Sequence, residues 1–69
     1  MTDAQCRAAD WYALGERDAL IYALRPQIEQ YAYQCEKFGV QPAEKAYLDG
    51  WNDGNGERQR RSSAGMGGT

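Results

Sequence analysis

The residues with chemistry to offer are carboxylates, tyrosines and two cysteines, because the 69-residue chain contains no histidine. That absence removes the commonest general base near neutral pH, the commonest transition-metal ligand and every Ser-His or Cys-His nucleophile pair. The acids that could work together are Asp10, Glu16 and Asp18 in the first third of the chain, and Asp49 and Asp53 further on. Paired carboxylates serve as acid and base when burial drives their pKa values apart, and a glycosidase-like pair also needs a cleft that admits a sugar. So short a chain rarely builds one. The plainer expectation is that Asp18 bonds a neighbouring backbone amide or pairs with Arg17, Arg25 or Lys45, so no catalytic residue is assigned and no enzyme is expected.

Asp49-Gly50-Trp51-Asn52-Asp53-Gly54-Asn55-Gly56-Glu57 has the oxygen content of a calcium loop, but its register fails. Counted from Asp49, Trp51 stands at the third position, where an acid or amide is needed, and Arg60 stands at the twelfth, where a glutamate is needed. Counted from Asp53, Arg58 stands in place of the glycine. No metal and no cofactor is expected. Cys6 and Cys35 permit one intramolecular disulfide, closing a loop of about 30 residues worth roughly 3.6 kcal/mol in chain-entropy terms; the alternative is a pair of buried reduced thiols packed as small hydrophobes. Two cysteines without histidine make no zinc site, and no C-x-x-C suggests a redox enzyme.

The net charge of -2 conceals an asymmetry. Residues 1–54 carry five Lys/Arg against nine Asp/Glu, whereas Arg58, Arg60 and Arg61 face only Glu57 in the remainder. An acidic body argues against a nucleic-acid partner, which would require a basic face. No apolar run approaches a membrane span, and Met1-Thr2-Asp3-Ala4-Gln5 is too polar to open a signal peptide, so the sequence as given carries no export signal.

Helices must position whatever these residues do. Thr2-Asp3-Ala4-Gln5 has the form of a capping box, and Ala8, Trp11, Leu14 or Gly15, Ala19, Tyr22 and Ala23 follow at helical steps, which predicts a first helix from residue 3 to about residue 23. Arg25-Pro26 ends it. Ile28, Tyr31, Ala32, Cys35 and Phe38 form the stripe of a second helix, closed by Gly39 as a left-handed cap with Val40 folding back. Pro42, Ala43, Ala46, Tyr47, Gly50, Trp51 and Gly54 mark a third, expected to fray at Gly54-Asn55-Gly56. The expectation is an all-α, three-helix module over residues 1–54 with a flexible, disordered polar tail over 55–69. A core of that size wants a staple.

Gly15-Glu16-Arg17-Asp18-Ala19 and Gly50-Trp51-Asn52-Asp53-Gly54 share the form G-x-x-D-small, each following an aromatic residue, Trp11 or Tyr47. Small residues four apart allow helices to cross closely, so Trp11, Gly15, Asp18, Ala19, Tyr47, Gly50 and Gly54 are assigned to a crossing of helices one and three. The alternative is isolated, flexible glycines. Tyr12, Tyr33 and Trp51 fall off the inner stripes. They either contact a protein partner or lie flat on neighbouring helices with their polar tips in water.

Cys6, Asp10-Trp11, Leu14-Gly15-x-x-Asp18-Ala19, Tyr31-x3-Cys35-x3-Gly39-Val40 and Ala46-Tyr47-x2-Gly50-x3-Gly54 together resemble the small bacterial envelope proteins grouped as domain of unknown function 2799, over about residues 6 to 54. The sequence departs from that pattern at Ala19, where glycine is common, at Trp51, where a basic residue is usual, and in lacking a third cysteine after Gly54. Members are typically exported, often as lipoproteins, so the resemblance implies a periplasmic or outer-membrane-anchored address and favours a Cys6–Cys35 disulfide. It implies no catalytic residue. The resulting expectation is a non-catalytic structural or protein-interaction component of the cell envelope, touching a membrane only through a removed lipid anchor, with an unknown protein partner. The rival is an inhibitor- or immunity-type module that occupies a partner through acidic helix faces and exposed aromatics.

Overall fold

The computed structural model describes residues 1–67 and the side chains of residues 1–61. Four helices appear among the described residues: α1 (Asp3–Ala8), α2 (Trp11–Leu20), α3 (Ile28–Glu36) and α4 (Glu44–Gly67). The all-α class is as the sequence implies, and the count differs because the first expected helix is two. Thr2 caps α1 through the capping box, accepting from the Gln5 amide while the Gln5 side chain accepts from the Thr2 amide. Ala9 then turns extended, and Asp10 starts a new helix by accepting from the Ala13 amide at 3.1 Å. An aspartate at that position satisfies one of the orphan amides of a helix start, which is why the apolar stripe continues while the backbone breaks.

α2 stops at Leu20, and Ala23 follows with φ of +52°, a left-handed conformation costing a non-glycine residue about 1–2 kcal/mol. Local bonds hold it there: Leu24 donates its amide to the Asp18 carbonyl at 2.8 Å and accepts from the Trp51 indole at 2.9 Å. α3 ends as the Gly39 spacing predicts. Gly39 has φ of +69°, and the amides of Phe38, Gly39 and Val40 return to the carbonyls of Cys35, Glu36 and Cys35.

α4 is longer than the sequence suggests. The helix end expected at Gly54, with a flexible tail beginning at residue 55, is corrected over residues 55–61, which extend the helix. Gly54 is there because another backbone passes over it, and a helix tolerates such a glycine at about 1 kcal/mol. Beyond it, Glu57 accepts from Arg60 and Arg61, and Arg58 donates to Asn55, pairs at three- and four-residue spacing that support helix. The rest of the expected tail, residues 68–69 and the side chains from residue 62, lies outside the described residues.

The core is Cys6, Trp11, Cys35 and Tyr47, with Leu14, Ile28, Tyr31, Phe38, Val40 and Trp51 packed around it. Tyr31 sits edge-on between Trp11 and Tyr47, with ring centroids 5.6 Å from each. α1 is tied to α3 by the Cys6–Cys35 disulfide, whose Cα atoms lie 5.7 Å apart, by the Met1 ammonium on Gln34 at 2.7 Å, and by Arg7 on the Phe38 carbonyl at 3.1 Å. Among the described residues, no helix is long and apolar enough to cross a membrane.

Candidate functional site

Everything polar in the interior depends on the crossing of α2 over α4. Methyl groups added at Gly15, Gly50 and Gly54 would run into the backbone at Tyr47 and Trp51, at Tyr12, and at Glu16 respectively. The added carbon would stand 2.8 Å from the Trp51 nitrogen and closer still to the Tyr47 oxygen, 2.7 Å from the Tyr12 carbonyl carbon and closer still to its oxygen, and 2.5 Å from the Glu16 oxygen. Gly50 meets Tyr12 and Gly54 meets Glu16, so four residues forward on one helix match four forward on the other. The two helices therefore run in the same direction, backbone against backbone.

This crossing has an internal two-fold logic. Tyr12-x-x-Gly15-x-x-Asp18-Ala19 on α2 corresponds to Tyr47-x-x-Gly50-x-x-Asp53-Gly54 on α4, and each tyrosine donates its hydroxyl to the aspartate of the other helix. The aromatic partner of the first half is thus Tyr12, not the adjacent Trp11. Trp11 faces the core beside Tyr31 instead.

The two halves differ in cover. Asp18 is 1% exposed. Its Oδ2 accepts from the Tyr47 hydroxyl at 2.6 Å and the Tyr31 hydroxyl at 2.9 Å, and its Oδ1 accepts from Arg17 at 3.2 Å. Arg17 also donates to the Tyr31 oxygen at 3.3 Å, and the Gln27 amide donates to the Tyr47 oxygen at 2.8 Å. A buried carboxylate survives only when paired and hydrogen-bonded, and here an arginine and two phenols do both. Burial, then donation to Asp18, pushes the Tyr47 and Tyr31 hydroxyls above the ordinary tyrosine value, so both stay protonated donors at neutral pH. Ala19, the next residue, is fully buried beside this cluster. At the other half, Tyr12 and Asp53 bond at the surface, and that bond, followed by desolvation, raises Tyr12 to about 12.

Three further acids have local partners. Asp10 caps α2, Asp49 pairs with Lys45 at 3.1 Å, and Glu57 holds Arg60 and Arg61. At Glu16 it is the backbone, not the carboxylate, that lies over Gly54. Among the described residues no three acidic or cysteine side chains gather into a cation-holding group. A groove of about 720 Å³ runs between α1 and α2, lined by Met1, Ala4, Ala8, Ala13 and Leu14, with Arg17 and Tyr31 at its polar end. Asp18 itself does not line it, so the carboxylate is closed to a substrate while its arginine and tyrosine partners show their outer faces.

Of the aromatics singled out from the sequence, Tyr33 is 80% exposed on α3, Tyr12 is exposed but engaged by Asp53, and Trp51 is half-buried against the core with its indole on the Leu24 carbonyl. Sequence reasoning named Arg17 as a partner for Asp18 and missed Tyr31, Tyr47 and the Gln27 amide. The repeat was the available signal, since aligning Tyr12 with Tyr47 pairs each tyrosine with the opposite aspartate.

No curated protein and no solved structure matches the chain. A family model does, over residues 10–68, reaching further along α4 than the segment that carried the resemblance in the sequence. The match takes in both halves of the tyrosine–glycine–aspartate repeat and all of α2, α3 and α4 as far as Gly67, and by it the chain belongs to the family described as "Protein of unknown function (DUF2799)".

Proposed function

We propose that the chain is a non-catalytic helical module of the bacterial cell envelope that works by presenting a rigid surface to a protein partner. The observation that carries this reading is the Cys6–Cys35 disulfide, because such bonds persist in oxidising compartments and are rare where glutathione keeps thiols reduced. The Asp18 cluster supports the non-catalytic part. Its carboxylate is buried and fully engaged by the protein itself, an arrangement that locks α2, α3 and α4 rather than receiving a substrate.

The test is fractionation of cells expressing the full-length gene product, with an alkylating agent present at lysis to trap free thiols. The reading predicts recovery in the periplasmic or outer-membrane fraction with no alkylated cysteine. Recovery in the cytosol with both cysteines alkylated would refute it.

A second reading, an inhibitor- or immunity-type module, draws on the surface around Tyr12, where Glu16, Asp49 and Asp53 are near enough to raise its hydroxyl pKa, and on exposed Tyr33. Affinity purification from envelope extract distinguishes the two. A single enzyme, inhibited on binding, favours the second reading; wall or membrane components favour the first.

A further inference from the structure

The loop between α2 and α3 exposes three large apolar side chains in four residues: Ile21 is 65% exposed, Tyr22 56% and Leu24 44%. Exposed apolar residues scattered singly need no explanation, but a contiguous group does. This group is not a floppy turn. The Ile21 and Tyr22 amides bond the Arg17 carbonyl, the Leu24 amide bonds the Asp18 carbonyl, and the Leu24 carbonyl accepts from Trp51. Ala23 is held left-handed between them. A strained backbone fixed from several sides, with its apolar side chains turned to water, is a feature that asks for a role.

Charge says what covers it. The ten residues from Ala19 to Ile28 contain no acid, although the chain as a whole has ten acids and a net charge of -2. Arg25 follows the loop, and Arg17 precedes it, with its guanidinium over the Tyr22 ring at 5.4 Å. An apolar tip carrying a tyrosine ring and rimmed by arginines is complementary to a lipid surface with anionic headgroups: the tip enters the acyl boundary and the arginines meet phosphate. Three neighbouring side chains are far short of the roughly 800 Å² per partner of a stable protein interface, and none of the principal surface grooves is lined by them.

We propose that the Ile21–Leu24 loop is a membrane-interface contact that docks the folded module on anionic lipid. This stands apart from the cellular address proposed above, since purified protein can fail to bind vesicles whatever its compartment, and can bind them without being exported. The experiment is co-sedimentation with vesicles of mixed phosphatidylglycerol and phosphatidylcholine, compared with phosphatidylcholine alone, at low salt. Two variants accompany the wild-type protein: Ile21→Ser with Leu24→Ser, and Arg25→Glu, each first shown to keep its helical content and thermal melt. The expected result is binding to the anionic vesicles, weakened about tenfold or more by either variant, with little binding to the neutral ones. Binding unchanged by the Ile21 and Leu24 substitutions would overturn the proposal, as would no binding to either vesicle. So would self-association of the wild-type protein that the same substitutions abolish, because the patch would then serve a second copy of the chain.

Discussion

Substituting Gly50 with alanine adds one methyl group where the backbone of Tyr12 already lies. The new carbon would stand 2.7 Å from the Tyr12 carbonyl carbon and closer still to its oxygen, whereas non-bonded carbons rest at about 3.5–4.0 Å. No side chain can step aside, so α2 and α4 must separate by roughly 1 Å. That separation loosens the Tyr12–Asp53 and Tyr47–Asp18 bonds that straddle the crossing. Overpacking of this kind costs about 1–3 kcal/mol or more, and the better helix propensity of alanine returns about 1 kcal/mol. The net expectation is a loss of up to about 2 kcal/mol, or a melting temperature lower by up to about 8–16 °C in a domain of this size. Gly56→Ala is the internal control. It lies on the same helix, where a methyl group would meet only the movable end of Arg60 at 3.4 Å, so it should gain about 1 kcal/mol from helix propensity. Guanidinium unfolding followed by circular dichroism gives both values. If Gly50→Ala stabilises the protein, or if the two substitutions act alike, the backbone-to-backbone crossing is wrong.

Asp18→Ala should cost about 2–3 kcal/mol, because it strands the buried Tyr47 hydroxyl and takes the acceptor from Arg17 and half-buried Tyr31, while Asp18→Asn, which keeps one acceptor, should cost less; equal losses would mean that the acceptor role is immaterial. Tyr47→Phe should destabilise by about 1–3 kcal/mol through the Gln27 amide it leaves unmet and the donor it takes from Asp18, whereas Tyr12→Phe, its surface counterpart, should change little; the reverse order would contradict the assignment of the buried half. Alkaline titration should lower stability. Tyr31 and Tyr47 are held above the ordinary tyrosine value and Tyr12 is raised to about 12, so the folded state keeps protons that the unfolded state releases. Their contribution is whole below about pH 10 and is lost as pH rises through the folded values; a melting temperature flat across that window would refute it.

Much of this architecture was legible because local rules and global packing agree. The capping box at Thr2, the left-handed Gly39 and the small residues at 15, 19, 50 and 54 each have one economical explanation, and the structure uses it. Two features were hidden for physical reasons. Asp10 breaks the first helix without interrupting its apolar stripe, so periodicity runs through the break. Gly54 and Gly56 look like a helix end because glycine is usually one, and only the passage of α2 over Gly54 shows otherwise. The Asp18 cluster was half visible. Arg17 is a sequence neighbour, but Tyr31 and Tyr47 reach the carboxylate from α3 and α4, and no local pattern states that distance. The strained loop at Ala23 leaves no mark in the sequence, since alanine is an ordinary helix residue whose left-handed turn is imposed by Asp18 and Trp51 from outside.

A disulfide staples this small core, and in the function we propose it reflects an oxidising compartment. The measurement that tests it most directly is intact mass after alkylation of protein taken unreduced from its native host, paired with a thermal melt with and without reductant. The disulfide joins residues 29 apart, so its loss should remove about 3.6 kcal/mol by chain entropy and release α1, which is otherwise tied to α3 by Met1 and Arg7. No alkylated cysteine is expected, and reductant should lower the melting temperature by roughly 14 °C or more. Two alkylated cysteines and a melt indifferent to reductant would contradict it.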